Sequence, residues 1–215
     1  MPGYIDIHTH DRSSSENRIY NVFAKNDYEY ISDKSFSIGL HPWHIKPDHS
    51  AVLEIVRQNT KLENCRAVGE TGLDRVCNTD FGLQEIVFLK HIEMAEAARK
   101  PLIIHCVRAF DRLLQLKKTM LPTVPWIVHG FNSKAQIADQ LNSNGIILSF
   151  GKALVLPGSN AQKTLSRIYG NDFFLETDDG NLRIEIIYDN AAKLLQMTHS
   201  DILKKIQISF EKIFG

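Results

Sequence analysis

The chain has 215 residues, 43% of them hydrophobic and 23% charged, with 25 basic side chains balanced by 25 acidic ones. This is room for one sizeable soluble domain, and the neutral balance excludes a globally basic nucleic-acid coat. No apolar run reaches the roughly 18 residues of a membrane span, and MPGYIDIHTH lacks the charged lead and apolar stretch of a secretory signal. Cys65, Cys77 and Cys106 stand apart with no CxxC spacing, which speaks against a disulfide framework and a zinc knuckle. The expectation is a single cytoplasmic domain over residues 1–215, with free thiols.

Apolar segments read as strands at Tyr4–His8, Ile19–Ala24, Phe36–Leu40, Arg66–Glu70, Leu102–His105, Trp126–His129, Ile146–Phe150 and Phe173–Glu176. Several are continuous apolar runs, as in parallel strands covered on both faces. Helical periodicity fills most of the intervals: Leu83–Arg99 (stopped by Pro101), Ala109–Lys118, Ser133–Asn142, Asn160–Tyr169, Asn181–Met197 and Asp201–Phe214, with Ser200 as the N-cap of the last. Eight strands alternating with helices predict an α/β protein with a TIM-like (β/α)₈ barrel, although such barrels typically run to ~250 residues. Asp11–Arg18 and Asn26–Ser35 are too short for full helices, so the barrel is expected to be trimmed or distorted near its N-terminus.

Chemistry-bearing residues follow these strands. In DIHTH, His8 and His10 are two apart, so they share a face at a strand exit and both reach one ion. Asp6, on the same face, would accept a histidine N–H or support the ligands. Glu70 ends the fourth apolar run, His105 the fifth and His129 the sixth; Asp178 lies just past the eighth. The carboxyl ends of strands are where barrel enzymes assemble their sites. Four histidines, a glutamate and an aspartate suit zinc, magnesium or manganese, with no thiolate to favour a soft metal. Six donors exceed the three of a mononuclear catalytic zinc, so two divalent ions are expected.

Taken in order, DIHTH, GLHPW, GETGLD, the helix start from Gln84 to Phe88, PLIIH, VHGF and ETD resemble the TatD-type family of metal-dependent deoxyribonucleases, within the metallo-dependent hydrolase superfamily. The resemblance spans nearly the whole chain. It implies that His8, His10, Glu70 and Asp178 hold one ion, and that Glu70 (bridging), His105 and His129 hold the second. It also implies a barrel fold and cleavage of phosphodiester bonds in DNA, in the manner of an exonuclease. Departures are local: HGFNS stands where the family reads HCFSG, and ETDDG where it reads ETDSP. The basic, proline-containing stretch that usually follows is missing, and Arg108 lies three residues after His105 rather than two. No ligand position is lost, but the altered loops are those that would contact DNA.

Two divalent ions would acidify a water and neutralise charge on a phosphoryl oxygen. Asp178 is the expected general base, Glu70 shares the catalytic assignment, and Glu176 supports the ligands from behind. His41, His44 and Arg108 are the expected substrate contacts. Trp43, beside them, offers a face that would either stack a base or pack on the rim. Asp74 would hydrogen-bond a ligand or close a turn. Cys106 is expected to pack away from the site, and His49, His91 and His199 carry no assigned role. The expected substrate is DNA or a small phosphoester, met by a monomer with no membrane association. Two alternatives use the same residues: an amidohydrolase- or lactonase-like enzyme on a small substrate, and a catalytically weak metal-binding protein. Relatives of the first kind commonly bridge their ions with a carboxylated lysine where this chain has Glu70.

Overall fold

The computed structural model describes residues 3–11, 17–24, 34–168, 170–179 and 182–215. The strands are β1 (Asp6–Thr9), β2 (Arg18–Phe23), β3 (Phe36–Gly39), β4 (Cys65–Asp74), β5 (Leu102–Val107), β6 (Trp126–Val128), β7 (Ile146–Phe150) and β8 (Phe173–Leu175). The helices are α1 (Ser50–Asn59), α2 (Phe81–Ala98), α3 (Phe110–Met120), α4 (Ala135–Ser143), α5 (Asn160–Ile168), α6 (Ile184–Leu195) and α7 (His199–Phe214). The strands lie in chain order in one eight-stranded sheet, and the pairs of described register are parallel. With helices between the later strands, this is the (β/α)₈ class expected from the sequence. The two short intervals near the N-terminus fall largely on residues 12–16 and 25–33, outside the described residues. Among the described residues no helix is long and apolar enough to cross a membrane.

The chain groups into two compact units, Asn21–Ile127, and Met1–Tyr20 with Val128–Gly215. In the first, α2 buries Val87, Phe88, Ile92 and Ala95, and Phe88 meets Trp126 edge-on at 5.7 Å between ring centres. Leu40, Ile45, Leu53 and Val87 form a satellite cluster beneath α1 and α2. Burying each such large side chain contributes about 1.5–3 kcal/mol. In the second unit, Phe150 packs edge-on against both Phe131 and Phe173, at 6.0 and 6.3 Å. Phe174 meets Phe214 at the end of α7. Tyr188 on α6 ties down the chain before β1: its hydroxyl accepts from Ile5 N (3.1 Å) and donates to Ile5 O (2.9 Å).

Element ends depart from the sequence reading for identifiable reasons. Strand β4 runs past Glu70 to Asp74, so Glu70 lies inside the strand rather than at its end. Gly69 and Gly72 hold φ of 143° and 148°, and a Cβ at either would collide with the carbonyl of Ile103 or His105 on β5. Only glycine permits that approach, and it brings Gly72 into register with His105. His105 is likewise inside β5, while β6 and β8 stop just before His129 and Glu176. Helix α2 begins at Phe81 because the Asp80 carboxylate accepts from Leu83 N at 2.8 Å. Helix α7 begins at His199, and its cap is Thr198 rather than Ser200: Thr198 Oγ1 accepts from Asp201 N and donates to the Asp201 carboxylate. Helix α1 is additional to the elements read from the sequence; His49 before it makes no side-chain cap, so its start carries no signal. The expected starts and ends at Asn181 and Tyr169 lie outside the described residues.

Candidate metal centre

The unit formed by Asn21–Ile127 carries one donor set. Glu70 is 4% exposed. Its Oε1 lies 3.0 Å from His105 Nδ1 and 3.1 Å from His41 Nε2. Asn21 from β2 fixes the same residue twice, accepting from Glu70 N (2.9 Å) and donating to Oε2 (3.3 Å). Behind His105 stands Asp74 at the end of β4, with Oδ2 3.2 Å from His105 Nε2. Asp74 also accepts from the Trp43 indole at 2.7 Å and from Val76 N at 2.7 Å. Burial works against its charge, but these donors outweigh it and hold the carboxyl below its ordinary value. Gln84 clamps the strand end: its Oε1 accepts from Asp74 N, and its Nε2 donates to the carbonyls of Asp74 and Thr79.

Proton positions separate the two histidines. His105 has a carboxylate on each ring nitrogen, Glu70 Oε1 at Nδ1 and Asp74 Oδ2 at Nε2; in the tautomer that gives Nε2–H to Asp74, the Nδ1 lone pair faces Glu70 Oε1. A cation between those atoms relieves that opposition, and a carboxylate behind a histidine is the usual support of a metal ligand. His41 is different. Its Nδ1 accepts from the backbone N–H of Trp43 at 3.1 Å, so its Nε2 carries the proton that Glu70 receives. His41, Glu70 and His105 offer donor atoms within 4.8 Å of one another, but a histidine in this tautomer donates a hydrogen bond rather than a lone pair. The geometry therefore favours His105 and Glu70 as ligands and keeps His41 as a hydrogen-bond donor.

The unit that includes both chain ends carries the other set. His8, His10 and Asp178 offer donor atoms within 4.8 Å of one another. Asp178 Oδ1 lies 3.5 Å from His8 Nε2 and 3.7 Å from His10 Nε2, spacings that suit a shared cation better than a direct hydrogen bond. The backbone delivers this arrangement: Asp178 N donates to His8 O, and His10 N donates to Asp178 O. Asp178 takes a left-handed φ of 55°, a conformation that aspartate tolerates better than most residues. His129 packs against His8 with 4.3 Å between ring centres. Fully buried Glu176 accepts from Gly130 N at 2.6 Å and faces His129 Nδ1 at 3.3 Å. That leaves His129 Nε2 as the outward donor, with Glu176 behind the ring. Asp6 supports the other side, though not through a histidine ring. Its partners are Thr177 N (3.1 Å), Thr177 Oγ1 (2.6 Å) and, at 3.4 Å, the backbone N–H of His8. Burial pushes its carboxyl up to about 6 in spite of the Thr177 bonds.

The remaining expected contacts are more peripheral. His44 is exposed and meets Phe23 edge-on at 5.1 Å between ring centres. Arg108 is exposed at a left-handed φ of 52°, and its carbonyl accepts from Arg75. The Arg75 guanidinium is engaged on both arms by Asp111. The Cys106 thiol is buried and pushed up to about 12 by that burial, so it offers no thiolate.

A family model described as "TatD related DNase" matches residues 5–215. The chain belongs to this family. Among TatD relatives, an "Uncharacterized metal-dependent hydrolase" of Buchnera aphidicola subsp. Baizongia pistaciae is 29% identical over 66% of this chain and 54% of its own length. The "3'-5' ssDNA/RNA exonuclease TatD" of Yersinia pseudotuberculosis is 27% identical over 65% of this chain and 55% of its own length. The chain thus spans about half the length of these two relatives. A crystal structure of the TatD homologue YJJV from Escherichia coli shares the fold, with a TM-score of 0.80, 20% identity and coverage of 91% of this chain and 86% of that one. A TatD family hydrolase from Entamoeba histolytica does so at 0.78, with 12% identity and 98% and 97% coverage.

Proposed function

We propose that this TatD protein hydrolyses phosphodiester bonds at the ends of nucleic-acid strands, using divalent cations held by the two donor sets. The observation that carries the reading is His105 between two carboxylates, one behind it as support and one in front as co-ligand. Glu70 with His105 would hold one ion, and His8, His10 and Asp178 another. The family resemblance assigns Glu70 the bridging part and His129 to the ion of His105. When bound, such ions polarise a phosphoryl oxygen and acidify a water. Asp178, a quarter exposed at its side chain, would accept the proton of the attacking water. His41 holds a proton at Nε2 and would give a hydrogen bond to a phosphate oxygen as negative charge builds there. Asn21 keeps the Glu70 carboxylate in one rotamer, which fixes ligand geometry before substrate arrives.

The test is a substrate panel on metal-stripped protein reloaded with magnesium, manganese or zinc. Release of mononucleotides from end-labelled single-stranded DNA is expected only in the reloaded samples. Opening of a lactone or amide, with no phosphodiester cleaved under any metal, would overturn the reading.

A further inference from the structure

Trp43 combines two properties that rarely occur together. It is 60% exposed, yet its indole N–H is tied at 2.7 Å to Asp74, a carboxylate only 3% exposed. Its backbone N–H is also used, on His41 Nδ1. The ring stands edge-on to His41 and to His105, with 4.8 and 5.8 Å between centres. A large apolar face in water is thus held rigid beside the donor set. Packing on the rim, the structural role open to this residue, would bury it.

The indole also forms one wall of a hollow of about 330 Å³, shared with Asp74, Val76, Cys77, Asn78 and Thr79. That volume lies within the ~300–1,000 Å³ usual for small-molecule sites. Val76 is a second exposed apolar side chain there, at 59%. Asn78 is exposed on the same hollow and brings an amide with both donors and an acceptor. A planar apolar wall, an aliphatic group and an amide suit a flat heteroaromatic ring with hydrogen-bonding edges.

We propose that the exposed face of Trp43 stacks the nucleobase of the strand end being cleaved, with Val76 and Asn78 completing the base subsite. This deepens the phosphodiesterase reading and rests on it for the identity of the substrate. Stacking on an indole is tolerant of base identity, so the subsite would select for the presence of a base rather than for its sequence. Because the same residue caps His41 and binds Asp74, seating the base would set the position of the adjoining phosphate.

Two measurements test it. Of the two tryptophans, Trp126 is fully buried, so quenching by added small molecules reports Trp43. Metal-loaded protein titrated with dAMP should lose indole fluorescence, and deoxyribose 5-phosphate should leave it unchanged. No quenching by dAMP, or equal quenching by both, overturns the proposal. In the cleavage assay, Trp43→Ala should raise KM on ordinary ends about 10- to 100-fold more than on abasic ends, while the loss of the Asp74 bond acts equally on both. Trp43→Phe, which keeps a face but loses the Asp74 bond, should recover most of the KM. Equal KM changes on abasic and ordinary ends overturn the subsite and leave the nuclease reading intact. Base-selective quenching in a protein that cleaves no phosphodiester would sink the nuclease reading and uphold the subsite.

Discussion

His91 on α2 holds the backbone that presents His41, and its burial makes that support pH-dependent. Its Nε2 accepts from Leu40 N at 3.0 Å and its Nδ1 donates to Val87 O at 2.8 Å, so the ring is neutral and fixed in one tautomer. Burial lowers its pKa from 6.5 to about 4. Above pH 6.5 neither the folded nor the unfolded chain protonates this ring. As pH falls below that value the unfolded chain takes up a proton that the native chain refuses until about pH 4, and stability is lost in between. The difference amounts to about 2–3 kcal/mol by about pH 4.5. The comparison is urea denaturation of the natural protein and His91→Gln, both in chelator so that ligand protonation acts equally on the two. Near neutrality the variant should be less stable by about 1–2 kcal/mol, the cost of an imperfect partner for the buried Leu40 amide. Lowering the pH to about 4.5 should close or reverse that gap, since glutamine has no proton to refuse. A gap that stays constant across pH would refute the reasoning.

Three further outcomes are expected. Glu70→Ala should lower bound metal by about one equivalent per chain or more, measured by elemental analysis, whereas His49→Ala should not; equal content would remove Glu70 from the centre. Glu176→Ala strips the partner from Gly130 N and His129 Nδ1 and should weaken metal binding by about 10- to 100-fold in a chelator competition, with Glu176→Gln recovering much of it. Tyr188→Phe leaves both backbone groups of Ile5 unpaired, and should cost about 1–3 kcal/mol in the urea midpoint with an unchanged slope.

What the sequence showed was the part written locally. Alternating apolar runs marked the eight strands, and donors placed directly after those runs marked the edge where chemistry gathers. His8 and His10 needed only the two-residue period of a strand. Partners joined through space were not visible. Asn21 reaches Glu70 across 49 residues, and its one local sign is an amide inside the apolar segment Ile19–Ala24. His91 reads as a polar helix residue without a role because the Leu40 amide it serves lies on another element, 51 residues away in the chain. Gln84 stands within a motif of the sequence, but its clamp on Asp74 depends on β4 running longer than its apolar core suggests. The tautomer of His41, which decides between lone pair and proton, is set by a backbone amide two residues on and is visible only in three dimensions.

The donor set of His8, His10 and Asp178 also has a mechanical side. His8 lies on β1, His10 just past it and Asp178 just past β8, so a cation held there acts as a detachable clasp between the exits of these two strands. The backbone pair between Asp178, His8 and His10 and the bonds from Thr177 to Asp6 and Thr9 join the same two segments without the ion. A ligand that binds only the folded state adds stability in proportion to its free concentration. Stripping the ion should therefore loosen these two strand exits first: limited proteolysis in chelator is expected to nick near β1 and β8 before β4 and β5. Cleavage patterns identical with and without chelator would mean the ends stay shut by packing alone.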